Sequence, residues 1–563
     1  MHLSDIGNKE IYIDIMELAL EAYGIDRAKK TFAEVRKTGL KEHGFPRLTA
    51  NIGILLAKGR VPELRDLFAQ MMDFCMEEVP AKRKVANDFS VRELCSAIFL
   101  LRENQTFPET QIQIWIDKLT AFQAQIGYDR IAESEKDNLG NWAAYNATSE
   151  FLRGKLCSVP VDSFVERQVG TLLAQFDRYG CYEDPHCPIL YDYATRVQLA
   201  SLLYFGYHGR HRSVIEENLR KAGFVTLKEM SVTGEIPFGG RSNQFLFNEA
   251  YLAGVCEFEA SYYQSRGDGE TAKKFKGAAV LATEAILDRI KDGDIHHVKN
   301  FYEKDSQIGC EGYAYFNKYM ITLASFAYLA YLFADNTIAL PQSVPEKPVA
   351  FVTDANFHKI FAKGFGYALE FDTDADFHYD ANGLGRIHKA GLPGTLCLSS
   401  PFTVHPNYKI EFPNSMPASI CAFVFKDGME YNTSEKGWIY TLKEVKETGN
   451  SLCLALEVQN DGIILRENAI VDRSGVLISL SGEQNLGFWV PVFAFDGKDE
   501  TSIMIDGSSI AVAYKNGLCR YLFDGTLLPD SILLCNRNGR YRLYKIQTNT
   551  LKIEMTAIQS NSR

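Results

Sequence analysis

The periodicity of apolar residues changes once along this sequence, near residue 340, and that change limits the architecture more than any motif does. Up to about Asn336, segments such as Val61 to Glu78, Gln111 to Gln125, Trp142 to Leu156, Ser163 to Arg178, Ala194 to Tyr207, Phe245 to Gln264 and Phe316 to Phe333 repeat apolar residues at three-and-four spacing. That spacing puts them on one face of a helix. Short Gly, Pro, Asp or Asn punctuation implies roughly twelve or thirteen helices joined by about 2 to 8 residues, as between antiparallel neighbours. Such hairpins close into an α/α toroid whose inner helices are apolar nearly all round. Phe316 to Phe333, FNKYMITLASFAYLAYLF, carries one charge in eighteen residues and reads as an inner helix.

Beyond the segment Pro341 to Pro348 the pattern becomes short runs rich in Val, Ile, Tyr and Phe. They are Pro348 to Val352, Gly366 to Phe371, Thr395 to Ser399, Ile420 to Phe425, Trp438 to Leu442, Leu452 to Gln459, Ile463 to Val471, Leu477 to Ser481, Phe488 to Phe495 and Ile532 to Leu543. Turn residues recur about every 8 to 12 positions, as in an antiparallel sandwich. The organisation expected is an all-helical domain over 1–338, a Pro-rich linker over 339–348 and a β-sandwich over 349–563.

The 563 residues carry a net charge of −11, so the whole offers no electrostatic footprint for nucleic acid or anionic lipid. An anionic ligand therefore needs a local basic site. The twelve cysteines are scattered from Cys75 to Cys535 without a C-x-x-C pair, which reads as free thiols in a reducing compartment. The start MHLSDIGNKEIYIDIMELAL has acidic residues where a secretory signal carries basic and apolar ones. The uncharged run Tyr319 to Ala334 is short for a membrane span. A cytoplasmic protein is expected. Nucleotide-binding glycine loops, GxSxG and HExxH are absent.

Four stretches hold more polarity than packing requires. In GGRSNQFLFNE, 239–249, Ser242 or Asn243 suits an N-cap before the apolar run. Arg241, Gln244, Asn248 and Glu249 are left over, either to line a pocket or to pair internally. Asp305 to Tyr319 brings Tyr313, Tyr315 and Tyr319 into the start of an inner helix behind an acidic, glycine-broken loop. Phe377 to Lys389 places His378, Arg386 and His388 at a Gly-rich β turn, where a domain cleft would make a site. Asn141, Trp142 and Tyr145, with His186, Tyr191 and Arg196, offer the aromatic faces and polar donors that sugar rings take. Each has a plainer reading as capping or packing.

Together these stretches resemble the heparinase II/III-like group of polysaccharide lyases. The resemblance rests on Asp305 to Tyr319, similar to the D-G-S-x-x-E-G-x-x-Y element of those enzymes, on the helix start Arg241 to Asn248, and on the β segment around His388. Asp305-Ser306-Gln307 stands where D-G-S is usual, and Asn243-Gln244 where many members have Asn-His. The resemblance implies an incomplete (α/α)6 toroid followed by an antiparallel β-sandwich, and β-elimination on a uronate-containing glycan. Neutralising the uronate carboxylate stabilises charge as the C5 proton leaves, and a tyrosine or histidine moves the protons. By motif position Asn243 with Arg241 neutralise, Tyr315 is base or acid with Tyr313 as substitute, and His388 is the partner from the β domain. Tyr302 and Glu311 join the substrate-binding set. No cofactor is required; several members hold a structural zinc, for which His378, His388 and His405 are the available ligands.

Two other readings stay open from the residues. A glycoside hydrolase on a similar toroid would use two carboxylates, with Glu249, Asp305 and Glu311 as candidates. A non-catalytic relative would bind an acidic oligosaccharide without turning it over.

Overall fold

The computed structural model describes residues 3–82, 85–290, 293–341, 347–482 and 485–558. Residues 342–346 of the expected linker lie outside the described residues. The last helix before that segment is Phe316–Phe333 and the first strand after it is Val349–Val352.

Six helices form an inner ring: Gly44–Ala57, Asn87–Glu103, Trp142–Cys157, Ile189–Tyr204, Asn248–Ser265 and Phe316–Phe333. Each packs on the next, and the last returns to the first. Glu10–Tyr23, Arg65–Ala81, Glu109–Thr120, Asp162–Leu173, Arg212–Glu229 and Gly269–Ile290 pack around them. Position in the ring follows from composition. Every residue of Gly44–Ala57 is buried, whereas the outlying Ile25–Thr38 buries only Ala28 and Phe32. The bore of the ring is polar: Arg47 Nε and Arg92 Nη2 both donate to Glu93 Oε1, at 2.8 and 2.7 Å.

The C-terminal half is antiparallel throughout. A four-stranded sheet runs Val349–Val352, Lys359–Gly364, Tyr367–Asp372 and Gly383–Lys389 in chain order. An eight-stranded sheet has the order Ser502–Asp506, Ser509–Tyr514, Gly517–Phe523, Thr550–Ala557, Gly475–Ser481, Ile463–Asp472, Ser451–Asn460, Ile439–Thr448. A five-stranded sheet has the order Thr526–Asn536, Gly539–Gln547, Asn485–Phe495, Cys421–Lys426, Met429–Asn432. Leu452, Leu454, Leu456 and Val458 are buried from alternate positions of one strand, joining Phe488, Val490 and Val492 in a common core.

Two expected strands differ. Thr395 to Ser399 begins as the 3-10 turn Gly394–Leu396 and then makes a lone backbone bond, Ile387 N–H to Leu398 O, rather than a ladder. Ile532 to Leu543 is two strands, because Asn538-Gly539 turns the chain back, with Asn536 paired to Gly539. The turn residues Arg537 and Asn538 reach the helical half, where Arg537 is 3% exposed and Asn538 1%.

Candidate functional site

The loop between the Arg212–Glu229 and Asn248–Ser265 helices carries the opening polarity, and its backbone is unusual. Gly239 and Gly240 have φ of 147° and 73°, and a Cβ on Gly240 would sit 2.8 Å from Pro188. Ser242 and Gln244 also adopt left-handed φ, 59° and 63°, which L-residues keep only when their surroundings enforce it. The expected N-cap at Ser242 or Asn243 is therefore not what forms: the helix starts at Asn248, behind Phe247. Asn248 instead pins the loop, accepting from Phe245 N–H at 2.9 Å and donating to Ser242 O at 3.2 Å. Asn243 donates to Pro237 O, and Gln244 lies between Asn243 and Asn538. All three amides are spent on structure.

This loop presents Arg241 and Ser242 to a mouth shared with two tyrosines. The Ser242 hydroxyl lies 3.1 Å from Tyr191 Oη and 2.9 Å from Tyr313 Oη. Arg241 lies over the Tyr191 ring, 4.7 Å from its centroid, and pairs with Asp184. Asp184 is buried and also accepts Asn141 N–H at 2.6 Å. Tyr313 is 41% exposed, and the Arg241 side chain 30%. Burial of the Tyr313 hydroxyl, reinforced by Tyr191 and Glu311, pushes that phenol well above the usual tyrosine value.

The β half fixes the mouth from below. Glu311 Oε1 accepts Ser242 N–H at 2.6 Å and is held by Arg537 Nη2 at 2.7 Å. Arg537 also donates to Gly309 O and stacks over Tyr408, 3.9 Å from the ring centroid. Half-buried Tyr379 lies 5.9 Å from the same guanidinium. Glu311 is thus a structural anchor, not a free ligand for sugar.

Several expected residues fall elsewhere. The Tyr315 hydroxyl is turned to Glu42, away from Ser242, and burial followed by Glu42 raises its phenol. His388 is fully buried: Nδ1 faces Ser231 and Thr233 at 2.8 and 2.9 Å, and Nε2 faces Ser399 at 3.0 Å. Burial and then Arg386 push it down to about 3, so it is neutral and enclosed. Arg386 donates to Ile236 O and Ser399 O and pairs with Glu370. Both residues hold the two halves together because strand Gly383–Lys389 lies against the helical half. Tyr145 bonds Tyr251 at 2.5 Å inside the bore, and Arg196 is locked on Asp192 and Thr226. Glu249 pairs with buried Lys299 at 2.7 Å, alongside Glu235. Tyr302 donates to Glu411 at 2.6 Å. Asn141 and half-buried Trp142 stay near the mouth through Asp184, and exposed His186 lies two residues from it.

His378 is exposed and bonds Asp376 at 3.0 Å, and His405 is exposed as well. Among the described residues no group of three or more His, Cys, Asp or Glu is placed to hold a metal ion. The three histidines therefore do not fit a zinc site.

Sequence reasoning missed Asp184, Tyr379 and Arg537 as parts of the site. Arg537 carried a signal, the Asn-Gly turn beside it, that was absorbed into one long strand.

No family model and no curated protein matches this sequence. Among solved structures it is similar to a crystal structure of heparinase III, with TM-score 0.50 and 11% identity, covering 91% of this chain and 76% of that one. A chondroitin AC lyase from Streptomyces coelicolor A3, in complex with chondroitin sulphate, aligns over 100% of this chain and 81% of that one, with TM-score 0.45 and 11% identity. A glycosyl hydrolase family 88 protein from Bacteroides vulgatus covers 57% of this chain and 99% of its own, with TM-score 0.37 and 9% identity. The helical toroid followed by antiparallel sheets is the fold shared with heparinase III. At these identities the likeness is one of fold, and the roles of residues rest on their own geometry.

Proposed function

We propose that this protein is a lyase that cleaves a uronate-containing oligosaccharide or polysaccharide by β-elimination. The observation that carries the reading is a half-exposed guanidinium, Arg241, beside two tyrosine hydroxyls at the mouth of the toroid. A guanidinium has five N–H donors in a planar fork, and the pair with Asp184 leaves others for a substrate carboxylate. Neutralising that carboxylate stabilises the charge that builds when the C5 proton departs. Tyr313, in its phenolate form, is the base. As electrons from the C5–H bond form the C4–C5 double bond, the C4–O4 bond breaks and O4 takes a proton. The toroid-plus-sheet fold shared with heparinase III supports the same reading.

The three carboxylates that hydrolysis would draw on are each held in an ion pair. Glu249 and Glu311 are buried in ion pairs, while exposed Asp305 sits on Arg27. A binding-only role has one observation in its favour, the enclosure of His388. A panel of uronate glycans followed at about 232 nm, where the unsaturated product of elimination absorbs, separates the readings. Absorbance that grows with enzyme supports the lyase; new reducing ends without it indicate hydrolysis; tight binding with neither indicates a binding protein.

A further inference from the structure

We infer that Tyr191, Ser242 and Tyr313 form a proton relay in which Tyr313 takes the C5 proton and Tyr191 delivers one to the leaving oxygen, with the Ser242 hydroxyl closing the cycle between them. The inference rests on the eliminative reading above and supplies what that reading lacks, a general acid. His388 does not fill the post, since both its nitrogens face hydroxyls inside the interface.

The geometry is continuous. Tyr313 Oη and Tyr191 Oη stand 2.9 and 3.1 Å from the same serine oxygen, the first inside the usual O–H···O range of about 2.5–3.0 Å and the second just beyond it. Ser242 is held there by force. Its left-handed φ of 59° and its N–H bond to Glu311 fix the hydroxyl between the two phenols. Buried Arg537 in turn fixes Glu311. Arg241 lies over the Tyr191 ring at 4.7 Å, which keeps that ring beside the guanidinium proposed to meet the substrate carboxylate. Both tyrosines are partly exposed to solvent.

Atoms and charges balance. The Tyr313 phenolate accepts the C5 proton and becomes a phenol. The C–H electron pair becomes the double bond, and the C4–O4 pair leaves with O4, which takes the Tyr191 proton. Tyr313 then donates to Ser242 Oγ as Ser242 donates to the Tyr191 phenolate. The starting state returns without water or an outside acid.

A substrate whose C4 substituent is 4-nitrophenoxide isolates the acid step, because that group leaves without a proton. On the natural alkoxide leaving group, Tyr191→Phe is expected to lower kcat at least about 100-fold with KM within about twofold. On the nitrophenoxide substrate the same variant is expected to lose less than about threefold. Ser242→Ala is expected to slow turnover, with no further loss when combined with Tyr191→Phe. Equal losses of Tyr191→Phe on both substrates, or no loss on either, would overturn the relay while leaving the lyase intact. A wild-type protein that produces no absorbance at about 232 nm on any uronate glycan overturns the eliminative reading and the relay with it.

Discussion

At the scale of residues, two tyrosines two positions apart have opposite surroundings. Tyr313 faces Ser242 and Tyr191, while Tyr315 faces Glu42. Tyr313→Phe is therefore expected to lower kcat at least about 1,000-fold, and Tyr315→Phe less than about fivefold, in the same absorbance assay with folding checked by circular dichroism. The reverse ranking would return the base to Tyr315. Titration makes a second prediction. Burial holds the Tyr313 phenol above its ordinary value of 10.0, so its phenolate is the minor form at neutral pH. The log of kcat/KM is expected to climb with pH through neutrality with a slope near one and no plateau below about pH 9. A plateau near pH 6 to 7 would point to a histidine in place of Tyr313.

At the scale of elements, the hairpin tip Arg537–Asn538 is the β half's contribution to the site. Arg537→Ala leaves Glu311 buried without its partner and is expected to cost about 3–5 kcal/mol in urea unfolding. Adding Glu311→Gln should recover part of that loss, because the stranded charge is gone. The strand Ile463–Asp472 makes a separate point. Glu467 faces the sandwich core, and burial alone raises it from 4.5 to about 8. The folded state holds this proton where the unfolded chain releases it, so stability falls as pH rises from about 4.5 to 8. Glu467→Gln removes that loss and should gain on the order of 3 kcal/mol at pH 7, read from the denaturation midpoint; an unchanged midpoint would contradict it. The same elements show what sequence could reveal. Phe316–Phe333 was legible to the residue, because one charge in eighteen permits only an inner helix. The 239–248 loop was not, because FLF looks like a helical turn while the left-handed φ of Ser242 and Gln244 comes from contacts more than 60 residues away. Arg241 stood out in the sequence as polarity that capping does not need, yet its partner Asp184 is 57 positions distant and carried no local mark.

At the scale of the whole molecule, the toroid and the sheets are bound by buried polar contacts. His388 to Ser231, Gly240 N–H to Asp380, and Asn538 to Gln244 all cross the junction. That junction should be sensitive to acid. His388 is held down from 6.5 to about 3, so between those values the unfolded chain binds a proton that the folded one refuses. Its contribution is intact above pH 6.5 and is lost on acidification at about 1.4 kcal/mol per pH unit. His388→Gln should flatten that dependence by about one proton without altering the pH–rate profile between 6 and 8. The same junction carries the Arg537–Glu311 pair that sets Ser242, so the mouth is a product of both halves. The most direct test of the account is the absorbance at about 232 nm when wild type, Tyr313→Phe and Arg241→Ala meet a panel of uronate glycans. The account predicts a product from wild type on at least one glycan and none above background from either variant. An unchanged rate in both variants, or reducing ends formed without the absorbance, would contradict it.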